Sequence, residues 1–280
     1  IVPYPPTDLL QGCGMLWGMS PKSMRVLPPG TVMITGATAG LGLEFAEQLG
    51  AQGHPLVLVA RNLERLKEVA AELENKYGVA VTTISADLTN RADVDKVALR
   101  LGDQKDPIEI LINNAGHGLK QSFLVNDVED EQAHLDIHVT APMRLSHAAL
   151  RSMTQRGHGA IINVASVAAF LPRGSYSAAK DYMVKFSEWA NSEFADQGVT
   201  VMALCPGFTR TEFHQRMDVS ADSAPKYLWL EADRVVSECL ADLAAGKAIS
   251  IPSKRYKAIV GAATMIPSGA LRRFQSMGRK

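Results

Sequence analysis

Between residues 31 and 252 the chain alternates short, unbroken apolar runs with longer stretches in which apolar residues recur every three or four positions. The runs are TVMIT (31–35), PLVLVA (55–60), AVTTISA (80–86), IEILIN (108–113), GAIINVA (159–165), VTVMALC (199–205) and AISIP (248–252). They are short, and most are rich in Val and Ile, so each is predicted to be a strand. They are continuous rather than alternating, the pattern of strands covered on both faces. Between the first two runs, Leu41 to Gly53 sets Leu43, Phe45, Ala46 and Leu49 on one side of a predicted helix. Leu63 to Tyr77 does the same with apolar residues at 63, 66, 69, 70 and 73. Strands alternating with helices make βαβ units and a mostly parallel sheet. The expected fold is therefore α/β and doubly wound, with about seven strands and helices on both faces. Residues 30–252 hold no repeat and no linker. One domain is predicted over 24–252, between an N-terminal extension (1–23, expected to be poorly ordered) and a C-terminal extension (253–280).

Composition narrows the class. Of 280 residues, 46% are hydrophobic and 21% charged, as in soluble globular proteins. The formal net charge is zero, which argues against nucleic acid as a bulk partner. Cysteines at 13, 205 and 239 are odd in number and lack metal-ligand spacing, so neither a disulfide framework nor a metal site is expected and a cytoplasmic setting is. No apolar run reaches the ~18 residues of a membrane span. Residues 1–23 have neither the charged start nor the apolar core of a secretory signal. In the tail, KRYK and LRRFQSMGRK flank the apolar AIVGAATMIP, a pattern open to surface contact with a membrane. Gly261, Pro267 and Gly269 interrupt it, which favours packing on the domain or on a second subunit. Phe208 to Leu230 lacks periodicity and follows a strand, where α/β enzymes place substrate loops. Its Phe208, Phe213, Met217, Tyr227 and Trp229 point to an apolar cleft.

TGATAGLG (35–42) joins the first strand to the first helix. Gly36, Gly40 and Gly42 allow a tight turn and close approach of a ligand. The helix N-terminus then offers free N–H groups to a phosphate, with Thr38 and Leu41 in the same turn. Such a turn within a βαβ unit signals a Rossmann-type nucleotide site. The second strand ends in VARN rather than in the acidic residue that would bind a ribose 2′-hydroxyl. Arg61 there suits a 2′-phosphate, which argues for NADP(H). Asp87, followed by Leu88 in SADLT, is placed to accept from the adenine amino group. NNAGHG follows the fourth strand, with Gly116 letting the backbone pass close to a cofactor and Asn113 able to brace neighbouring strands.

Tyr176 and Lys180, four apart in SYSAAKDYMVKF, fall on one face of a predicted helix. A phenol titrates near ~10, and an adjacent cation lowers that value, which makes the pair a proton donor and acceptor.

TGATAGLG, Asp87, Asn113 to Gly116, Ser166 in NVASVAAF, Tyr176, Lys180 and PGFTRT (206–211) occur in an order that resembles the short-chain dehydrogenase/reductase family, in its single-domain NADP-dependent branch. The resemblance covers about 30–252 and includes Asn114 and Ala115. It implies that Tyr176 protonates a carbonyl oxygen as hydride arrives, that Lys180 holds the nicotinamide ribose and depresses the tyrosine, and that Ser166 bonds the substrate oxygen. Pro206, Gly207, Thr209 and Thr211 would line the nicotinamide side. The implied activity is hydride transfer between NADP(H) and a carbonyl or alcohol, with a hydrophobic ketone favoured by the apolar loop. The alternative is a non-catalytic NADP(H)-binding sensor or scaffold. Relatives usually assemble through the segments near 128–153 and 176–197, so a homodimer or homotetramer is implied. Two departures stand out. Ser166 and Tyr176 are ten residues apart, about three fewer than in most relatives. His138, in HLDIHVTAP, falls where the family usually has an asparagine that supports a water relay to the lysine, and is expected to serve that relay. The other six histidines read as structural or solvated.

Overall fold

A computed structural model describes residues 27, 29–119, 123–172, 174–211 and 225–265. Seven parallel strands form one sheet in the order β3-β2-β1-β4-β5-β6-β7. In chain order these are β1 (Thr31–Thr35), β2 (Leu56–Ala60), β3 (Val81–Ser85), β4 (Ile108–Asn113), β5 (Gly159–Val164), β6 (Val199–Leu204) and β7 (Ile249–Ser250). The helices are α1 (Gly40–Ala51), α2 (Leu63–Tyr77), α3 (Arg91–Leu101), α4 (Val128–Leu135), α5 (Ala141–Arg156), α6 (Ser175–Phe194), α7 (Ala232–Ala244) and α8 (Lys254–Met265). The strand order reverses between β1 and β4, the switch point at which doubly wound sheets open a ligand crevice.

The unbroken apolar runs have a direct cause. Val32 and Ile34 of β1, with Ile110 and Ile112 of β4, face Phe45 and Leu49 of α1 and Val235 of α7. The intervening Met33 and Leu111 face the opposite layer, with Val94 of α3 and Leu145 of α5. Successive side chains point to opposite faces, so both parities must be apolar. Each such side chain, fully buried, contributes roughly 1.5–3 kcal/mol.

All seven predicted strands form. β7 is shorter than AISIP because its pairing with β6 is confined to Ala203 and Leu204. The first half of the tail is α8, which turns Tyr256, Val260 and Ala263 into the domain. The Tyr256 hydroxyl donates to the Leu228 carbonyl (2.7 Å) and accepts from the Phe208 N–H (3.0 Å). Residues 1–23, residues 266–280, Phe213 and Met217 lie outside the described residues. None of the described helices is long and apolar enough to cross a membrane.

Between α4 and α5, Asp136–Thr140 forms a π-helical turn, closed by the Ala141 N–H on the Asp136 carbonyl. The sequence accounts for it. Pro142 has no N–H to give the carbonyl of His138, four residues earlier, so the α-helical ladder cannot continue there. The turn carries His138 inward, where it is buried.

Candidate active site

The site is assembled at the C-terminal ends of β1, β4, β5 and β6, where the glycine turn, the NNAG segment and the start of α6 meet. Gly36 and Gly40 have φ of 67° and 56°, which glycine alone adopts without strain. A Cβ on Gly42 would lie 2.2 Å from the Gly36 carbonyl oxygen, and one on Gly36 would lie 2.9 Å from Ala115 Cα. Asn114 ties the turn to the NNAG segment: its Nδ2 donates to the carbonyls of Thr35 (2.9 Å) and Gly36 (3.2 Å). Thr35 Oγ1 accepts from the N–H groups of Asn114 and Ala115. The result is a cradle open to the N-terminus of α1, where Thr38 and Leu41 are half-buried.

Arg61, at the end of β2, is exposed and makes no ion pair among the described residues, whereas Arg65 is paired with Glu68 and Glu72. Asp87 is half-buried and accepts from the N–H and hydroxyl of Thr89 (3.0 and 2.8 Å). Burial pushes its carboxyl up, but these bonds and the charges of Arg61 and His117 leave it below its ordinary value. The Leu88 side chain is buried in the core beside α3. A Cβ on Gly40 would lie 3.2 Å from Thr211 Cβ, so the chain after β6 returns to the glycine turn. Val167 donates to the Pro206 carbonyl (3.0 Å), which sets this segment beside Ser166. Gly207 admits the Tyr256 ring, 2.0 Å from where a Cβ would stand. The Thr209 hydroxyl folds back on the Gly207 carbonyl and is buried. The Phe208 and Trp229 rings meet at 5.5 Å between centres, tilted by 45°, so part of the apolar loop packs on itself.

Asn113 does brace strands. Its Nδ2 donates to Asn163 Oδ1 on β5 (2.8 Å) and Ser146 Oγ on α5 (3.0 Å), and Asn163 donates to Ser187 on α6 (2.9 Å). This buried ladder holds α6 against the strand ends. Tyr176 lies in the first turn of α6, where the positive end of the helix favours a phenolate. The short Ser166–Tyr176 connection is spanned by a 3-10 turn (Val167–Phe170) and by Gly174, which at φ 92° leads straight into the helix. Ser166 Oγ accepts from the Ala168 N–H (3.1 Å), leaving its O–H to donate elsewhere.

Lys180 is 5% exposed; its Nζ donates to the Val164 carbonyl (2.7 Å) and stands 5.7 Å from the Tyr176 ring centre. Burial pulls its ammonium down to about 8. The neighbouring Cys205 thiol is pushed up to about 12 by burial and is inert as a nucleophile.

Three histidines complete the site, two of them read from sequence as merely structural or solvated. His138 lies 5.7 Å from Tyr176, ring centre to ring centre, His134 5.8 Å from Tyr176 and 4.4 Å from His138, and His117 5.9 Å from His134. A Cβ on Gly116 would stand 2.3 Å from His138 Cε1, so this glycine makes room for the imidazole. His138 Nε2 is 2.7 Å from the His117 carbonyl oxygen. A carbonyl only accepts, so the proton sits on Nε2, and Nδ1, buried and without a hydrogen-bond partner among the described residues, carries the lone pair. Burial, with the charge of Lys180, drives His138 well below its ordinary value. Burial, with the charges of His117 and Lys180, takes His134 down to about 4. The i, i+4 spacing of His134 and His138 was the available signal in the sequence; that His117 joins them depends on the path of the β4–α4 connection.

Residues 30–221 match the family model of the short chain dehydrogenases. The chain belongs to the short-chain dehydrogenase family. It superposes on a short-chain dehydrogenase from Sphingobium yanoikuyae in complex with NADPH, with a TM-score of 0.78 and 36% identity over 83% of this chain and 93% of that one. It also resembles the bulky-bulky ketone specific alcohol dehydrogenase from Comamonas testosteroni (TM-score 0.73, 30% identity, 85% and 92% coverage). In sequence it is 29% identical to the very-long-chain 3-oxoacyl-CoA reductase of Anas platyrhynchos over 80% of this chain and 74% of the relative. As a member of this family the chain is an oxidoreductase whose fold binds a nicotinamide cofactor and a small-molecule substrate.

Proposed function

We propose that this chain is an NADPH-dependent reductase of hydrophobic ketones. The observation that carries the reading is the buried Lys180 ammonium, held by the Val164 carbonyl beside Tyr176 at the end of a glycine cradle. The cradle fits a dinucleotide: without side chains, Gly36 and Gly42 let the turn close on itself and on Ala115, Asn114 holds it in that shape, and the N-terminus of α1 is left to face a phosphate. Arg61, exposed and in no ion pair among the described residues, supports NADP(H) over NAD(H), in line with the NADPH complex of the Sphingobium yanoikuyae relative. The cofactor supplies the hydride; this chain's residues bind, orient and handle the proton. Tyr176, with Lys180 beside it in the first turns of α6, gives its proton to the carbonyl oxygen. Ser166 donates its O–H to the same oxygen as charge develops there. Two relatives, a bulky-bulky ketone specific alcohol dehydrogenase and a very-long-chain 3-oxoacyl-CoA reductase, support a large apolar substrate.

The test is turnover of NADPH and of NADH against aliphatic and cyclic ketones, with binding read by cofactor fluorescence. Tyr176→Phe is expected to lower kcat by roughly 10²–10⁴-fold with NADPH binding unchanged, as for loss of a general acid. No binding of either cofactor would sink the reading, and preference for NADH would remove its NADP(H) part.

A further inference from the structure

The chain after β6 and the residues ahead of α7 run side by side as a short parallel ribbon. Thr209 faces Leu230 across it; the Leu230 N–H donates to the Phe208 carbonyl (2.8 Å) and the Arg210 N–H to the Leu230 carbonyl (2.9 Å). Parallel ladders are evenly spaced, so the next rung would be the Phe208 N–H on the Leu228 carbonyl. The Tyr256 hydroxyl stands in that rung instead, accepting from the Phe208 N–H (3.0 Å) and donating to the Leu228 carbonyl (2.7 Å). One rung further back the two stems have parted. The Pro206 carbonyl accepts from the Val167 N–H (3.0 Å), and the Leu228 N–H donates to the Pro225 carbonyl (2.9 Å). The inserted hydroxyl is therefore the point at which the ribbon opens toward Ser166.

The packing around Tyr256 fixes the insertion. The residue is 4% exposed, and its ring lies on Gly207, with Cζ 2.0 Å from where a Cβ would stand. Burial raises the phenol above its ordinary value, so at neutral pH it keeps its proton and can donate while its oxygen accepts. The start of α8 is anchored from two directions. Ser253, just before it, has a φ of 77°, which a residue with a side chain keeps only where its surroundings hold it. The Ser253 N–H donates to Glu238 of α7 (2.8 Å), and Arg255 Nη1 donates to the Tyr227 carbonyl (2.7 Å) on the second stem. A phenylalanine at 256 would bury the same ring and lose both hydroxyl bonds. Tyr256 and all of α8 lie beyond residues 30–221, the part that matches the family model.

We propose that Tyr256 is a positioning residue for the reaction: its hydroxyl, wedged between the two stems, sets where residues 206–208 stand against Ser166 and so how the ketone meets the nicotinamide. The inference rests on the reductase reading above. The physical link is short. Tyr256 fixes the Phe208 N–H, and two residues earlier the Pro206 carbonyl holds Val167, the neighbour of Ser166. At the other end of the strip, Thr211 packs on Gly40 of the glycine turn. The strip thus spans from the group that bonds the substrate oxygen to the turn that faces a phosphate, and Tyr256 pins it midway.

Two variants of α8 test this. Tyr256→Phe removes only the hydroxyl. Val260→Ala trims a buried residue one turn further along the same helix and outside the ribbon. In Tyr256→Phe, kcat for a ketone should fall roughly 10–100-fold with NADPH affinity little changed, because a misplacement of about 1 Å can cost roughly 10²-fold in the chemical step. Val260→Ala should melt at a lower temperature than the wild type and keep its kcat. Wild-type kcat in Tyr256→Phe overturns the proposal, and so does an equal fall in both variants, which would mark a merely structural helix. A second measurement needs no turnover: amide hydrogen exchange at Phe208 should be slow in the wild type and in Val260→Ala, and faster in Tyr256→Phe. Exchange at Phe208 that is the same in all three proteins overturns the contact. A wild-type protein that reduces no ketone defeats the reductase reading, while the exchange at Phe208 still decides whether Tyr256 holds the strip.

Discussion

Lowering the pH should destabilise the fold through His134 before any carboxylate contributes. Its folded value is about 4 against an ordinary 6.5. The unfolded chain binds this proton more readily, so the stability is present above pH 6.5 and is lost as pH falls through 4. At pH 5 the unfolded imidazole is almost fully protonated and the folded one is about one-tenth protonated, so linkage removes about 2 kcal/mol relative to pH 7.5. His138 is displaced in the same direction and adds to the loss. Other groups stay out of this window. Lys180, folded at about 8, disfavours the fold to a constant extent below that pH. Glu47, Asp87 and Glu238 lie below their ordinary values, so what they contribute declines only once pH falls below about the unperturbed carboxyl range. The assay is urea unfolding of the wild type and His134→Gln at pH 7.5 and 5. The wild type should lose about 2 kcal/mol more than the variant, or about 4–8 °C in Tm. Equal losses in the two proteins would refute the assignment of His134 as a buried neutral imidazole.

Other outcomes follow from the same geometry. A kcat that depends on the Lys180 ammonium should fall as pH rises through about 8, and Lys180→Arg should move any residual fall to higher pH; a flat profile to pH 10 refutes the role of its charge. Arg61→Ala should weaken NADPH by roughly 10–100-fold and leave NADH unchanged, as expected for a charged hydrogen bond of about 1.5–3 kcal/mol; equal losses would show a merely structural arginine. Gly116→Ala would drive a methyl to 2.3 Å from His138 and should destabilise by about 1–3 kcal/mol, with the loss relieved in the double variant with His138→Ala. A stable single variant would show that the ring has room to move.

Much of this protein was legible in local pattern. Two-sided apolar strands announce a covered parallel sheet because both side-chain parities are buried, and the structure has all seven. The glycine turn and the Tyr176–Lys180 spacing are properties of a few consecutive residues, so their placement needed only the helix period. The same reasoning read His134 and His117 as structural or solvated and did not place them beside Tyr176. What changed those readings lies across the chain: His117 and His138 are 21 residues apart, and Tyr176 arrives from a third element. Only tertiary packing put a carbonyl on His138 Nε2 and left the His134 nitrogens without a hydrogen-bond partner among the described residues, because hydrogen-bond partners and burial depend on which strands neighbour one another. The sequence by itself determined the layers, the cradle and the pairing of Tyr176 with Lys180. Tertiary structure decided the protonation states around that pair, since desolvation is set by what closes over a side chain and not by its neighbours in sequence.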